Sequence, residues 1–207
     1  MRTAVYVDGF NLYYGCLKGT SFKWLDLKAL FTNVLGPQNQ IVNINYFTAL
    51  VKANPGNPSA PQRQQAYIRA LEAYIPEISV HYGHFLQHKV RMANANPPPN
   101  TTEVIKTEEK GSDVNLSVHL LNDAWLDNYD CAVIVSNDSD MAEAMQLVRI
   151  HHPEKVLGLI TPGHHRTSRQ LQRHANFVRT IRPGAPRNAL LPDQIPGTRI
   201  HKPADWA

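Results

Sequence analysis

Four aspartates in three separated segments stand where short apolar runs give way to polar residues or where a helix begins. They are Asp8 in Val7-Asp8-Gly9-Phe10-Asn11, Asp113 in Lys110-Gly111-Ser112-Asp113, and Asp138 with Asp140 in Ser136-Asn137-Asp138-Ser139-Asp140. Carboxylates gathered at one place suit hard divalent cations such as Mg²⁺ or Mn²⁺, which take oxygen ligands, keep several waters and offset the mutual repulsion. A cation so held activates a water and neutralises charge developing on a phosphate. Each aspartate also has an ordinary explanation. Asp8, Asp138 and Asp140 can cap helices, and Asp140 with Glu143 forms a capping-box-like pair. Asp113 in a first turn gains only about 0.3–1 kcal/mol from the helix dipole. Convergence of all four at one edge of a sheet is what would separate catalysis from capping.

The elements that must position them are legible as short apolar runs followed by helix formers. Residues 131–135 are small or β-branched, too short for a helix core, and read as a strand buried on both faces. Residues 3–7 read the same way, so Asp8 and Asn11 fall at a strand-to-helix turn facing the same edge as Asp138. Further strands are predicted over 41–51, 78–86, 155–160 and 177–181, the last at a sheet edge. Helices are predicted over 12–18, 26–35 with Asp26 as N-cap, 61–74, 112–125, 141–148 and 167–175. In the helix over 112–125, Val114, Val118, Leu121 and Trp125 form the stripe expected to be buried, widened by Leu116 and Leu120. Alternating strands and helices predict right-handed crossovers and a mainly parallel sheet between helical layers, a three-layer α/β/α sandwich. The carboxyl edge of such a sheet is where ligands bind.

Residues 54–58 read as a loop, and residues 93–102, with three prolines and three asparagines, as an exposed flexible loop that is a candidate substrate-facing flap. His81, His84 and His88 invite a zinc reading. In a strand His81 and His84 point to opposite faces, and neither Cys nor carboxylate completes the set. From 183 onward five prolines argue for an extended tail without a core of its own, so the domain proper is 1–182 and the tail 183–207.

No apolar run approaches transmembrane length, the chain enters a strand pattern at once, and two distant cysteines suggest neither a disulfide framework nor a Cys-x-x-Cys site. The expected location is cytoplasmic, with no membrane partner. The charge is uneven: residues 1–148 are net −3 and residues 149–207 net +7. Acidic metal ligands beside a phosphate-gripping surface would give that asymmetry, although a solvated basic tail would give it too.

The blocks Val7-Asp8-Gly9-Phe10-Asn11-Leu12, Glu109-Lys110-Gly111-Ser112-Asp113-Val114 and Val133 to Asp140 resemble the three signature blocks of NYN domains, a branch of the PIN-like nuclease superfamily. The resemblance covers about residues 1–182. It implies a PIN-like fold and metal-dependent RNA cleavage, with Asp8, Asp113, Asp138 and Asp140 as metal-binding acids and Asn11 as a supporting polar contact. Three positions depart from the family pattern: Asn137 for a usual Gly, Met141 for a usual Phe and Asn176 for a frequent Asp. Asn137 would then alter the turn that aims Asp138, since Asn tolerates positive φ.

The expected function is a Mg²⁺- or Mn²⁺-dependent endoribonuclease leaving 5′-phosphate and 3′-hydroxyl ends. Lys110, Arg166, Arg169 and Arg173 would grip the RNA backbone. Single-stranded RNA fits better than duplex, because an exposed strand can enter an acidic cleft and stack on Phe10 or Tyr13. Self-association is left open. The alternative is a binding module without turnover. A phosphotransferase using Asp8 as nucleophile is disfavoured, because Phe10 occupies the place of the second acid that such chemistry uses.

Overall fold

The structure, a computed structural model, describes residues 1–53, 55–163 and 166–206. Asn54, the first residue of the loop expected over 54–58, lies outside the described residues. Strand β1 (Arg2–Asp8) leads into the single turn α1 (Gly9–Leu12), which continues as a widened turn over Tyr13–Leu17. Helix α2 (Leu27–Leu35), strand β2 (Gln40–Thr48), helix α3 (Ala60–Tyr74) and strand β3 (Ile78–Tyr82) follow. A hairpin of β4 (His84–Ala93) and β5 (Thr101–Lys110) precedes helix α4 (Ser112–Trp125) and strand β6 (Cys131–Val135). A short turn at Ser139–Met141 then opens helix α5 (Ala142–His151), and β7 (Val156–Thr161), α6 (Arg169–His174) and β8 (Phe177–Thr180) complete the body.

Six strands pair in the order β3-β2-β1-β6-β7-β8, every pair parallel. The chain winds outward from β1 in one direction, then returns to β6 and winds outward in the other. The order therefore reverses between β1 and β6, and such a switch point opens a crevice at the strands' carboxyl ends. Asp8 is the last residue of β1, and Ser136 to Asp138 follow β6 directly. The strand alternation sorts the core into two layers. Val5, Val7, Val133 and Val135 pack with α2 and α3 on one face. Ala4, Tyr6, Ala132 and Ile134 pack with α4, α5 and α6 on the other. The three-layer α/β/α expectation holds.

Three expectations are corrected. Helix α4 buries Leu116, Leu120 and Ala124, whereas Val114 and Val118 are 66% and 56% exposed and Trp125 is also exposed. The rotation is fixed by polar groups that hydrophobicity discounts: Asp123 is buried and accepts a 2.6 Å bond from Tyr6 Oη, and Ser112 is buried at the helix start. The strand expected over 78–86 breaks at Gly83, because residues from His84 onward leave the sheet for the hairpin. Finally, the flap expected at 93–102 is the tip of that hairpin. Ten cross-strand pairs run from His84–Lys110 to Ala93–Thr101. At the usual rise per residue, the tip is about 27 Å along the arm from Phe85. The base of the arm, not its tip, meets the sheet edge.

The tail adds to the body's core instead of standing apart. Ala189, Leu191 and Ile195 are buried with the α2 and α3 side chains. Asp26 N donates to Ala189 O (2.9 Å), Leu191 N to Trp24 O (3.0 Å) and Trp24 Nε1 to Pro192 O (2.9 Å). No helix among the described residues is long and apolar enough to cross a membrane.

Candidate active site

Asp8 is held from two sides. Its Oδ1 accepts from Asn11 N at 2.9 Å, closing the first turn of α1, and its Oδ2 accepts from Ser136 Oγ at 3.0 Å. Ser136 Oγ in turn accepts from Asp138 N at 3.0 Å, so one hydroxyl bridges the ends of β1 and β6. Asp138 Oδ1 accepts from Asp140 N, capping the turn that leads into α5. The capping explanations for Asp8 and Asp138 are therefore correct, and they do not exhaust the side chains. Gly9 makes the first turn feasible, because a Cβ there would stand 2.8 Å from both the Tyr46 ring and Phe47 O.

Asp113 comes from the far side. Gly111 caps α4 with φ of 96°, a left-handed conformation suited to glycine, and turns the chain from the arm into the helix. Asp113 then projects from the first turn, beside Glu109, whose carboxylate accepts from Ser112 Oγ (2.7 Å) and Ser112 N (3.2 Å). Asp8, Asp113, Asp138 and Glu109 line one cavity of about 410 Å³, with Asn11, Asn137, Phe10, Tyr14 and Phe85. Phe10 meets Phe85 edge-on at 5.8 Å, which seats the base of the arm against the site. Asp140 is exposed and does not line the cavity.

The electrostatics match this convergence. Burial pushes the Asp113 carboxyl up to about 6, and the charges of Asp8, Asp138, Glu109 and Asp140 add to the rise. Burial also raises Asp8, partly offset by the bonds from Asn11 and Ser136, while Asp138 raises it further. Among the described residues, no Lys or Arg lines the cavity to relieve the repulsion. The donor chemistry suits a hard divalent cation, with Asp8, Asp113 and Asp138 as the residues that could hold it. Among the described residues, no three His, Cys, Asp or Glu side chains stand as a ready-made metal-holding group, so a cation here would draw much of its coordination from water.

The four expected phosphate contacts lie outside this cavity. Lys110 pairs with Glu108 at 3.6 Å, and Arg169 and Arg173 are exposed on α6. Arg166 is exposed next to the site, its carbonyl accepting from Asn137 Nδ2 at 3.2 Å. Asn137 does not adopt positive φ; among the described residues Asp127 is the one non-glycine that does. Its role is carried by its side chain: Oδ1 accepts from Ser168 N at 2.7 Å, while its own N donates to Asn11 Oδ1 at 3.1 Å. Glu109, Ser136 and Phe85 escaped sequence reasoning as site residues. Only Glu109 left a signal, as the acid four residues before Asp113.

His81 belongs elsewhere. It stacks on Phe47 at 4.7 Å, lies 4.0 Å from the His119 ring and pairs with Asn45, while His84 and His88 are exposed on the arm.

Among solved structures, the fold is similar to that of a protein of unknown function from Vibrio parahaemolyticus, with a TM-score of 0.53 at 17% identity over 92% of this chain and 96% of that one. At the sequence level the chain is 33% identical, over its whole length and 75% of the relative's, to 6-hydroxy-3-succinoylpyridine 3-monooxygenase HspA of Pseudomonas putida. A family model for the NYN domain matches residues 2–181. With the three acidic blocks meeting at the β1–β6 switch point, the chain belongs to the NYN domain family, whose domains are generally ribonuclease-like.

Proposed function

We propose that the chain is a Mg²⁺- or Mn²⁺-dependent endoribonuclease acting on single-stranded RNA. The observation that carries this reading is the meeting of carboxylates from three segments in one cavity, with no Lys or Arg among its described lining residues. Asp8, Asp113 and Asp138 would hold the metal, with Asp140 and Glu109 adding negative charge nearby. When bound, such an ion would supply an activated water and neutralise charge on the phosphate.

The chain's own residues do the rest. Ser136 fixes the spacing of Asp8 and Asp138 by bonding to both segments, and Asn11 sets the Asn137 backbone that precedes Asp138. Phe10, Tyr14 and Phe85 line the cavity and offer rings to unstacked bases, which favours a single strand over a duplex. Arg166 sits beside the cavity, with Arg169, Arg173 and Lys110 further out as contacts to flanking phosphates. In-line attack of water on the phosphorus, with the 3′ oxygen leaving, yields 5′-phosphate and 3′-hydroxyl ends.

The test is incubation of a mixed-sequence single-stranded RNA and its duplex with Mn²⁺, Mg²⁺ or EDTA. Cutting of the single strand that requires metal and leaves 5′-phosphates is the expected result. Binding without cutting under every condition would favour a module without turnover.

A second reading is favoured by the 33% identity to a monooxygenase of a hydroxypyridine. In it the aromatic-lined cavity holds a small heteroaromatic ring. Oxygen uptake with 6-hydroxy-3-succinoylpyridine and a reduced nicotinamide would support it, and no uptake alongside RNA cutting would dismiss it.

A further inference from the structure

Phe10 and Tyr14 have a second cavity behind them. It encloses about 300 Å³ and is lined by further rings, those of Tyr13, Tyr46, Tyr67 and Trp206, and by three cations, Lys23, Lys52 and Arg63. The two cavities share Phe10 and Tyr14, and Tyr46, which lines the second, sets its ring against Gly9 immediately after Asp8. Their chemistry is opposite: carboxylates in one, cations in the other.

The tail builds one wall. Trp206 packs its ring 6.1 Å from Tyr67 and 6.3 Å from Trp24. Arg63 fastens that wall, pairing with Asp205 at 2.7 Å and bonding Asn57 and Ser59. Arg63 is thus engaged. Lys23 and Lys52 make no ion pair among the described residues. Two unpaired ammonium groups beside clustered rings are the two halves of a site for a planar aromatic ring carrying an anion, because rings accept a base by stacking and lysines take a phosphate as point charges. An acidic cavity repels RNA, so a neighbouring anion-holding site is what could keep the strand in place.

We propose that this second cavity is a nucleotide subsite, which stacks one base of the RNA between its rings and holds that nucleotide's phosphate with Lys23 and Lys52, next to the phosphate being cut. The choice of a nucleotide as ligand rests on the ribonuclease reading; the aromatic and cationic lining does not.

The test is calorimetric titration of the full chain in EDTA with UMP and AMP, and with ribose 5-phosphate and nicotinate as a base-free anion and a small aromatic acid. Wild-type protein is compared with Lys23→Glu/Lys52→Glu and with Trp206→Ala, circular dichroism verifying that each is folded. Both changes are expected to weaken nucleotide binding by at least about tenfold, the scale of one lost base stack. Ribose 5-phosphate is expected to bind more weakly than either nucleotide. Binding of nucleotides that ignores both variants, or no binding by a protein that cuts RNA, would overturn the subsite while leaving the nuclease standing. Nucleotide binding lost in both variants, in a protein that cuts no RNA, would keep the subsite and remove the nuclease. Nicotinate binding more tightly than both nucleotides would overturn the nucleotide assignment.

Discussion

Asp113 shows what the site costs the fold. Its carboxyl titrates at about 6 against an ordinary 3.8, because burial and four neighbouring carboxylates oppose its charge. The folded chain therefore holds that proton more tightly than the unfolded chain. The stability this contributes is fully present below pH 4 and is lost as pH rises through about 6. In EDTA, Asp113→Asn is expected to be more stable than wild type at pH 7 by about 1 kcal/mol, discounted for a half-exposed group. The difference should vanish below pH 4. Thermal melts across pH check this, and equal melting temperatures at pH 7 would contradict it. Asp8, Asp113 and Asp138 were legible as site candidates because each ends or begins a recognisable element. Asn137 was legible as a departure from the family pattern, though not in its effect. Its partners Arg166 and Ser168 lie some thirty residues on, and no local pattern links them.

Among the elements, α4 carries Asp113 and is aligned by its buried face. Leu116 and Leu120 are fully buried, while Val118 is largely exposed. Leu120→Ala is expected to cost about 2–4 kcal/mol, whereas Val118→Ala should stay within about 0.5 kcal/mol. Urea denaturation measures both, and a larger loss at Val118 would mean that the helix is rotated as its hydrophobic stripe suggests. The helix itself was plain in the sequence. Two apolar stripes compete on it, and the buried one includes Ser112 and Asp123. Hydrophobicity counts these against burial, although the Tyr6 hydroxyl makes Asp123 acceptable inside. The arm was missed for a related reason. Its strands are exposed on both faces, so polar and apolar residues do not alternate as they do over a core.

For the whole molecule, a doubly wound parallel sheet concentrates chemistry at its switch point, and the alternation of strands and helices made that architecture legible. The tail was not, because prolines erase periodicity and it docks through isolated side chains and a few main-chain bonds. Removal of residues 183–207 would uncover Trp24 and the apolar surface now covered by Leu191 and Ile195. The shortened chain is expected to melt lower by several degrees, since each kcal/mol is worth about 2–4 °C at this size. An unchanged melting temperature in a scanning calorimeter would contradict the docking.

In the proposed reaction, the acids at the β1–β6 switch point cut RNA with a metal. The most direct measurement is single-turnover cleavage of a single-stranded RNA in saturating Mn²⁺ by wild type and by Asp138→Asn, with RNA binding measured on the same samples. The variant is expected to cut at least about a hundredfold more slowly with RNA still bound, the scale expected when an essential transition-state contact is removed. Equal rates in the two proteins would contradict it.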